Sequence, residues 1–286
     1  MNESELDHLR RRLGDVGLRD HAAALVSLIE PAVRLVPDAT DGSPAIIGAT
    51  KLGGCPDLAP GTEWPSFQGV PQSFIAQINL GEVAGMAGTE VLPDSGLLSF
   101  FYDAEQRIWG FDPADRGGWR VLHTIEADLV RVAFPADLRD HGRYQERRLR
   151  PRIETTFAPW ASSDLERLGL ESSQVDAYLA VVDEVYSNDG EIHRLLGHPD
   201  PIQGDMQLEC QLTSNGLYCG DASGYEDARA PTLQRGAVNW RLLLQIGSDE
   251  GAGMCWGDAG CLYFWLHRDD LAARRFDAAW CILQCS

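Results

Sequence analysis

Chemistry in this 286-residue chain would have to come from four groups of side chains. His193, His198, Asp200, Gln203 and Asp205 form the densest collection of acid/base or metal-ligating types. His198 and Asp200 flank Pro199, which puts both on one turn where they could face a cleft. The run Trp256-Gly257-Asp258-Ala259-Gly260 joins a large aromatic and a carboxylate to two glycines, whose tolerance of positive φ lets backbone approach a ligand closely. Asp258 is then a binding or acid/base carboxylate, or a turn residue bonded to its own backbone; a matching turn at Asp94 favours the second role. Gln77 and Gln245 each sit inside an apolar run, and alternation puts Gln245 on the face of Leu243. A buried amide left unpaired costs on the order of 1–3 kcal/mol. Each glutamine therefore either ties a neighbouring turn to a sheet, or the two face a ligand together. The last group is seven cysteines, Cys55, Cys210, Cys219, Cys255, Cys261, Cys281 and Cys285.

The candidate cleft or ligand-binding residues are accordingly Gln77, Gln245, His198, Asp200, Gln203, Trp256 and Asp258, with no catalytic residue assigned. No metal is expected, because no HExxH, CxxC or facial-triad spacing supplies a ligand set. The spacings Cys255 to Cys261 and Cys281 to Cys285 do not match short zinc knuckles, and burial is the simplest role for most of the thiols. No cofactor is expected either, since the chain lacks a Walker-type phosphate loop, a GxSxG elbow, kinase signatures and a dinucleotide fingerprint.

Charge narrows the partners. A formal charge of −19 and a pI near 4.6 work against nucleic-acid binding, which needs a clustered basic surface. One stretch, 139–152, carries six arginines; it could grip a phosphate or carboxylate, but a solvated segment leading to Pro151 is the plainer expectation. With 44% hydrophobic and 23% charged residues a sizeable core can be buried. No apolar run approaches the ~20 residues of a membrane helix, and the opening MNESELDHLRRRLGD lacks a secretory apolar core. Cytoplasmic location with reduced thiols is the expectation.

These residues must be positioned by short elements. Leucines at spacings of three and four predict two helices before Pro31, separated near Gly14 and Gly17, and a second helical pair over 162–187. Short strands are expected at 72–80, 96–102, 107–111, 119–123, 128–134, 205–212, 240–247, 261–266 and 279–284, with a short helix over 269–276 and a long polar loop over 213–236.

Three landmarks recur in the same order in the two halves. Leu52-Gly53-Gly54-Cys55-Pro56-Asp57 resembles Leu195-Leu196-Gly197-His198-Pro199-Asp200. Phe74-Ile75-Ala76-Gln77-Ile78 resembles Leu242-Leu243-Leu244-Gln245-Ile246, and the stretch 94–101 resembles 258–265. An N-terminal helical segment (1–44) then precedes one domain (45–286), whose pseudo-repeats at about 45–135 and 190–286 are joined by a basic and helical connector, 136–189. An insertion in the second copy is a place for specificity.

KLGGCPDL (51–58), SFIAQINL (73–80), LPDSGLLSFFYD (92–103), HRLLGHPDPIQGDMQLEC (193–210), WRLLLQIGSD (240–249) and GMCWGDAGCLYFWLHRDDL (253–271) also resemble the YwqG-like family of bacterial proteins of unknown function, from about residue 45 onward. The resemblance implies an α+β fold with substantial sheet and implies no activity, cofactor or catalytic residue. The expected fold is thus α+β and sheet-rich, mainly antiparallel, an internally duplicated pseudo-symmetric scaffold with flanking helices. The expected function is noncatalytic binding of a protein partner or small ligand through loops, in one form an immunity or inhibitor protein; the alternative is an unfamiliar enzyme with an acid/base site between the repeats. No nucleic acid or membrane partner is expected.

Overall fold

Arg34-Leu35-Val36-Pro37 and Arg148-Leu149-Arg150-Pro151 share a pattern, and the strands that hold them run side by side at the centre of a ten-stranded sheet. In this computed structural model, which describes residues 3–38, 44–125, 128–185 and 192–286, those strands are β1 (Glu30–Pro37) and β10 (Arg147–Thr156). Between them in sequence lie β2 (Lys51–Leu52), β3 (Asp57–Leu58), β4 (Ser66–Phe67), β5 (Val70–Pro71), β6 (Ser73–Asn79), β7 (Leu97–Tyr102), β8 (Trp119–Thr124) and β9 (Val130–Arg131). After them come β11 (Arg194–Leu195), β12 (Trp240–Gly247), β13 (Cys261–His267) and β14 (Trp280–Gln284).

The sheet order is β14-β13-β12-β11-β1-β10-β2-β6-β7-β8, antiparallel throughout, with β3–β9 and β4–β5 as separate two-stranded pairs. Two arms therefore spread from the centre. The first is β2-β6-β7-β8 and the second β11-β12-β13-β14. The strand preceding each arm in sequence pairs with the opposite one: β1 hydrogen-bonds β11, and β10 hydrogen-bonds β2. Val36 lies opposite Arg150, its counterpart in the shared pattern, so a local twofold passes between them.

The sheet curls until the third strands of the arms meet, with Phe100 and Phe264 edge-on at 5.1 Å. Its far ends also come together. Trp119 Nε1 donates to Ala279 O at 2.7 Å, Trp280 Nε1 to Gly110 O at 2.8 Å, and Leu283 N to Trp109 O at 3.0 Å. The result is a near-barrel whose interior is apolar, including Ile75, Leu98, Phe100, Leu244, Phe264 and Trp280. Burying each such side chain contributes roughly 1.5–3 kcal/mol.

The helices flank this sheet, giving an α+β architecture. Leu9 and Leu13 of α1 (Glu3–Asp15) pack with Leu25 of α2 (Ala22–Ser27), and with Leu165 of α4 (Ser163–Glu166) and Tyr178 and Val181 of α5 (Ser172–Val185), in a satellite cluster. The remaining helices, α3 (Leu80–Val83), α6 (Met206–Ser214), α7 (Ala230–Leu233) and α8 (Arg268–Ala272), sit in connections. No described helix is long and apolar enough to cross a membrane. Positions 186–187 of the expected second helical pair, and the expected start of the second repeat at 190, lie outside the described residues.

Four expectations need correction. The segment 1–44 is not a helical segment ahead of the sheet: after α1 and α2 its residues Glu30–Pro37 form β1, a central strand, because β10 and β11 supply backbone partners on both sides. Residues 205–212 are not a strand: Asp205 caps α6, its carboxylate accepting from Gln207 N at 2.9 Å, and the helix buries Met206, Cys210 and Thr213 at helical spacing. Residues 107–111 form no strand, because the Asp103 and Asp115 carboxylates take the backbone N–H groups of Arg107 and Gly110 into turns. The stretch 213–236 is partly helical, with α7 and a 3-10 helix over Gln234–Asn239.

Candidate functional site

The two Gly-x-Pro-Asp turns have the same backbone and the same internal bonds. Each begins with two residues in left-handed conformation, Gly53 and Gly54 at φ 51° and 67°, and Leu196 and Gly197 at φ 61° and 71°. A bulge near Ile75 in β6 and near Leu243 in β12 frees a carbonyl for that turn. Gly53 N donates to Ile75 O at 2.9 Å, and Leu196 N to Leu243 O at 3.2 Å.

The glutamines close these turns. Gln77 Oε1 accepts from Asp57 N at 2.9 Å, while its Nε2 donates to Ala49 O and to Asp57 Oδ2, both at 2.8 Å. Gln245 repeats the set on Asp200 N (2.9 Å), Ile192 O (2.9 Å) and Asp200 Oδ2 (3.1 Å). Both side chains are fully buried. Their geometry fastens turn to sheet and engages the amide atoms internally.

A buried cation runs beneath each turn. Lys51 Nζ donates to Cys55 O at 2.6 Å and Glu146 at 2.5 Å. Arg194 donates to His198 O at 2.8 Å, and pairs with Glu154 at 3.0 Å and Asp200 at 2.9 Å. Arg34 also contacts Glu154. Such ions are tolerable out of water only because each is paired and hydrogen-bonded. Burial alone would raise Asp57, but hydrogen bonds from Arg131 and Gln77 overcome it and hold the carboxyl below its ordinary value. A third ionic knot joins centre to second arm: Arg147 meets Asp249 at 2.6 Å and His193 Nε2 lies 3.2 Å from the same carboxylate. Against the opposing effect of burial, His193 and Arg147 keep Asp249 well below the usual carboxylate range.

The seven sequence candidates do not gather in one cleft. Trp256 is fully buried against Tyr102 and Tyr144. Asp258 and Gln203 are exposed, and Gln203 N donates to Gln284 Oε1 at 3.0 Å. Asp200 and Gln245 bond each other behind the turn. His198 does reach a concavity, a narrow pocket walled also by Glu30, Asp205, Trp240, Arg241 and Trp265. His198 Nε2 lies 2.6 Å from Leu28 O, so that nitrogen carries the proton. Asp205 accepts from Ser163 Oγ at 2.8 Å, and burial raises its carboxyl above the ordinary value.

Sequence reasoning missed Trp240 and Trp265 as walls, because aromatic residues in an apolar strand read as core. It also missed Glu209, one helical turn beyond Asp205, whose carboxyl burial pushes up to about 7. All seven cysteines are free. Burial pushes Cys210 and Cys281 well up, which keeps them as inert thiols. Among the described residues no group of three or more His, Cys, Asp or Glu side chains is arranged to hold a metal ion.

The family described as Domain of unknown function (DUF1963) matches residues 50–285, and the chain belongs to it. The match leaves out β1, although β1 joins the two arms of the same sheet. No curated protein matches the chain.

Proposed function

We propose that the chain is a noncatalytic binding protein of YwqG-like type, working in the cytoplasm, whose loops on two arms of sheet hold a partner protein or small ligand. The observation that carries this reading is the internal use of the polar groups at the paired turns. Gln77, Gln245 and the Asp57 and Asp200 carboxylates bond one another, nearby backbone and the cations Arg131 and Arg194, so these conspicuous motifs act on the scaffold. What remains for a partner is the surface, which carries most of a −19 net charge.

Negative charge of that size favours a basic protein and disfavours phosphate backbones. In its immunity or inhibitor form the protein lies over a basic active site, and charge complementarity speeds association. Affinity capture from the native host at low salt, together with binding measurements on the purified partner, tests this. The expected partner is basic, with an association rate that falls by about tenfold or more between low salt and roughly 0.5 M. A salt-indifferent rate, or no partner at low salt, removes the reading.

One observation favours the enzyme alternative. A carboxyl raised to about 7, as at Glu209, suits general acid/base work near neutral pH. It lies on α6 within the second arm's insertion, so an enzyme reading would move the chemistry there from the space between the arms.

A further inference from the structure

Strand alternation sorts the arginines of β10. Arg148, Arg150 and Arg152 share the outer face of the sheet and are exposed, while Leu149 between them turns into the core. Their cross-strand neighbours on that face are Lys51 opposite Arg148, Val36 opposite Arg150 and Arg34 opposite Arg152, with Arg194 beyond Arg34. Cations thus line up across four adjacent strands of a chain whose net charge is −19. The carboxylates nearby are each engaged: Glu146 holds Lys51, Glu154 contacts Arg34 and Arg194, Asp200 holds Arg194, and Asp38 meets Arg150 at 2.7 Å. Arg148 and Arg152 have no acidic partner among the described residues. Successive guanidiniums of this stripe stand about 6.7 Å apart along the strand and repel one another.

We infer that this face receives a short acidic segment of another protein in extended conformation, with a carboxylate at every second residue. Alternate side chains of an extended chain repeat at the same spacing of about 6.7 Å, so each carboxylate meets one guanidinium fork of Arg148, Arg150 or Arg152. Strands stacked face to face lie about 10 Å apart, a gap that an arginine and a glutamate side chain span together. Half-buried Val36 gives the middle of the stripe an apolar floor. A long polyanion such as single-stranded nucleic acid suits the face less well. Asp38, Glu146 and Glu154 interleave with the cations, and the acidic surface around them repels a phosphate chain that runs past the stripe. This contact goes beyond the basic partner proposed above, because it draws on the cationic centre of the sheet and not on the acidic surface.

The test follows the arginine Nε–H resonances of the full chain at low salt while a peptide is added. The probe has blocked ends and three glutamates alternating with threonine. Signals lost in Arg148→Gln, Arg150→Gln and Arg152→Gln identify the three groups, and all three shift together with a dissociation constant on the order of millimolar. Each single variant weakens binding about two- to fivefold and the triple variant abolishes it. The three side chains are exposed, so the variants keep the fold. Arg19→Gln, which removes an exposed cation between α1 and α2, leaves the affinity unchanged. The glutamine version of the peptide gives no shift. A peptide with its three glutamates consecutive, which turns one of them away from the sheet, binds about threefold more weakly. No shift with the alternating peptide, equal binding of the consecutive one, or a loss in Arg19→Gln as large as in Arg148→Gln overturns the inference. Octathymidylate binding more tightly than the alternating peptide also overturns it and assigns the stripe to nucleic acid.

Discussion

The two arms repeat a turn, a bulge and a buried glutamine, yet they diverge once the chain leaves the turn. In the first arm it passes from Asp57 to β6 through the small β4–β5 hairpin. In the second it passes from Asp200 to β12 through α6, α7 and a 3-10 helix. The pocket arises there because α6 brings Asp205, Met206 and Gln207 against Trp240 and Trp265. The difference teaches that the shared motif is scaffold, and that individuality comes from the insertion hung upon it.

Equivalence of the turns makes strong predictions. Gln77→Leu and Gln245→Leu each strand an Asp N–H and a carbonyl, and each should cost about 2–6 kcal/mol, twice the 1–3 kcal/mol of one unpaired group. Urea unfolding measures both; a small loss at one position would break the comparison there. Gly53 should be less forgiving than its counterpart Leu196, because a Cβ at Gly53 would come 2.3 Å from Gln145 O. Gly53→Ala should therefore lose about 3 kcal/mol or more, combining that clash with left-handed strain.

The buried cations come next. Lys51→Met and Arg194→Met should each lose about 3 kcal/mol by leaving a carboxylate without its partner. The loss at Arg194 should be eased by Arg34, which still contacts Glu154. Chemical denaturation of both variants, alone and with Arg34→Met, reads that compensation directly.

Acid and base should act on different carboxyls. Asp57 and Asp249 have lowered folded-state values, so their stabilisation is present above the unfolded carboxyl range near pH 4 and is lost as pH falls below it. Glu209 is raised to about 7; the folded state then holds an extra proton between about pH 4.5 and 7, and stability declines as pH rises through that window. Glu209→Gln should remove this decline and add about 1–2 kcal/mol at pH 8, as read from denaturation at pH 5 and 8. The smallest effects belong to the exposed turn residues Asp94 and Asp258: asparagine at either should change stability by less than about 0.5 kcal/mol.

Much of the scaffold was legible in the sequence because its turns demand particular chemistry. Paired landmarks disclosed β6, β7, β12 and β13 through apolar periodicity and Asp-x-Gly turns. The central strands were not legible. β1 carries two prolines and β10 four arginines, and each resembles a linker or solvated run until Arg34 and Arg194 are seen sharing Glu154. In DMQLECQL the apolar residues fit period two as well as a helix, and only the Asp205 cap decides between them. The pocket was half legible: His198 and Asp205 stood out as chemistry, while nothing local distinguished Trp240 and Trp265 from core.

The exchange of leading strands has a consequence for the timing of folding during synthesis. The first arm leaves the ribosome well before β10, and β1 must wait longer still for β11. Neither half can complete its hydrogen bonding alone, so about two-thirds of the chain must emerge before β1 finds β11, and nearly all of it before the far ends of the sheet meet. Such distant pairing slows folding, and until then both arms present unpaired strand edges of the sort that chaperones shield.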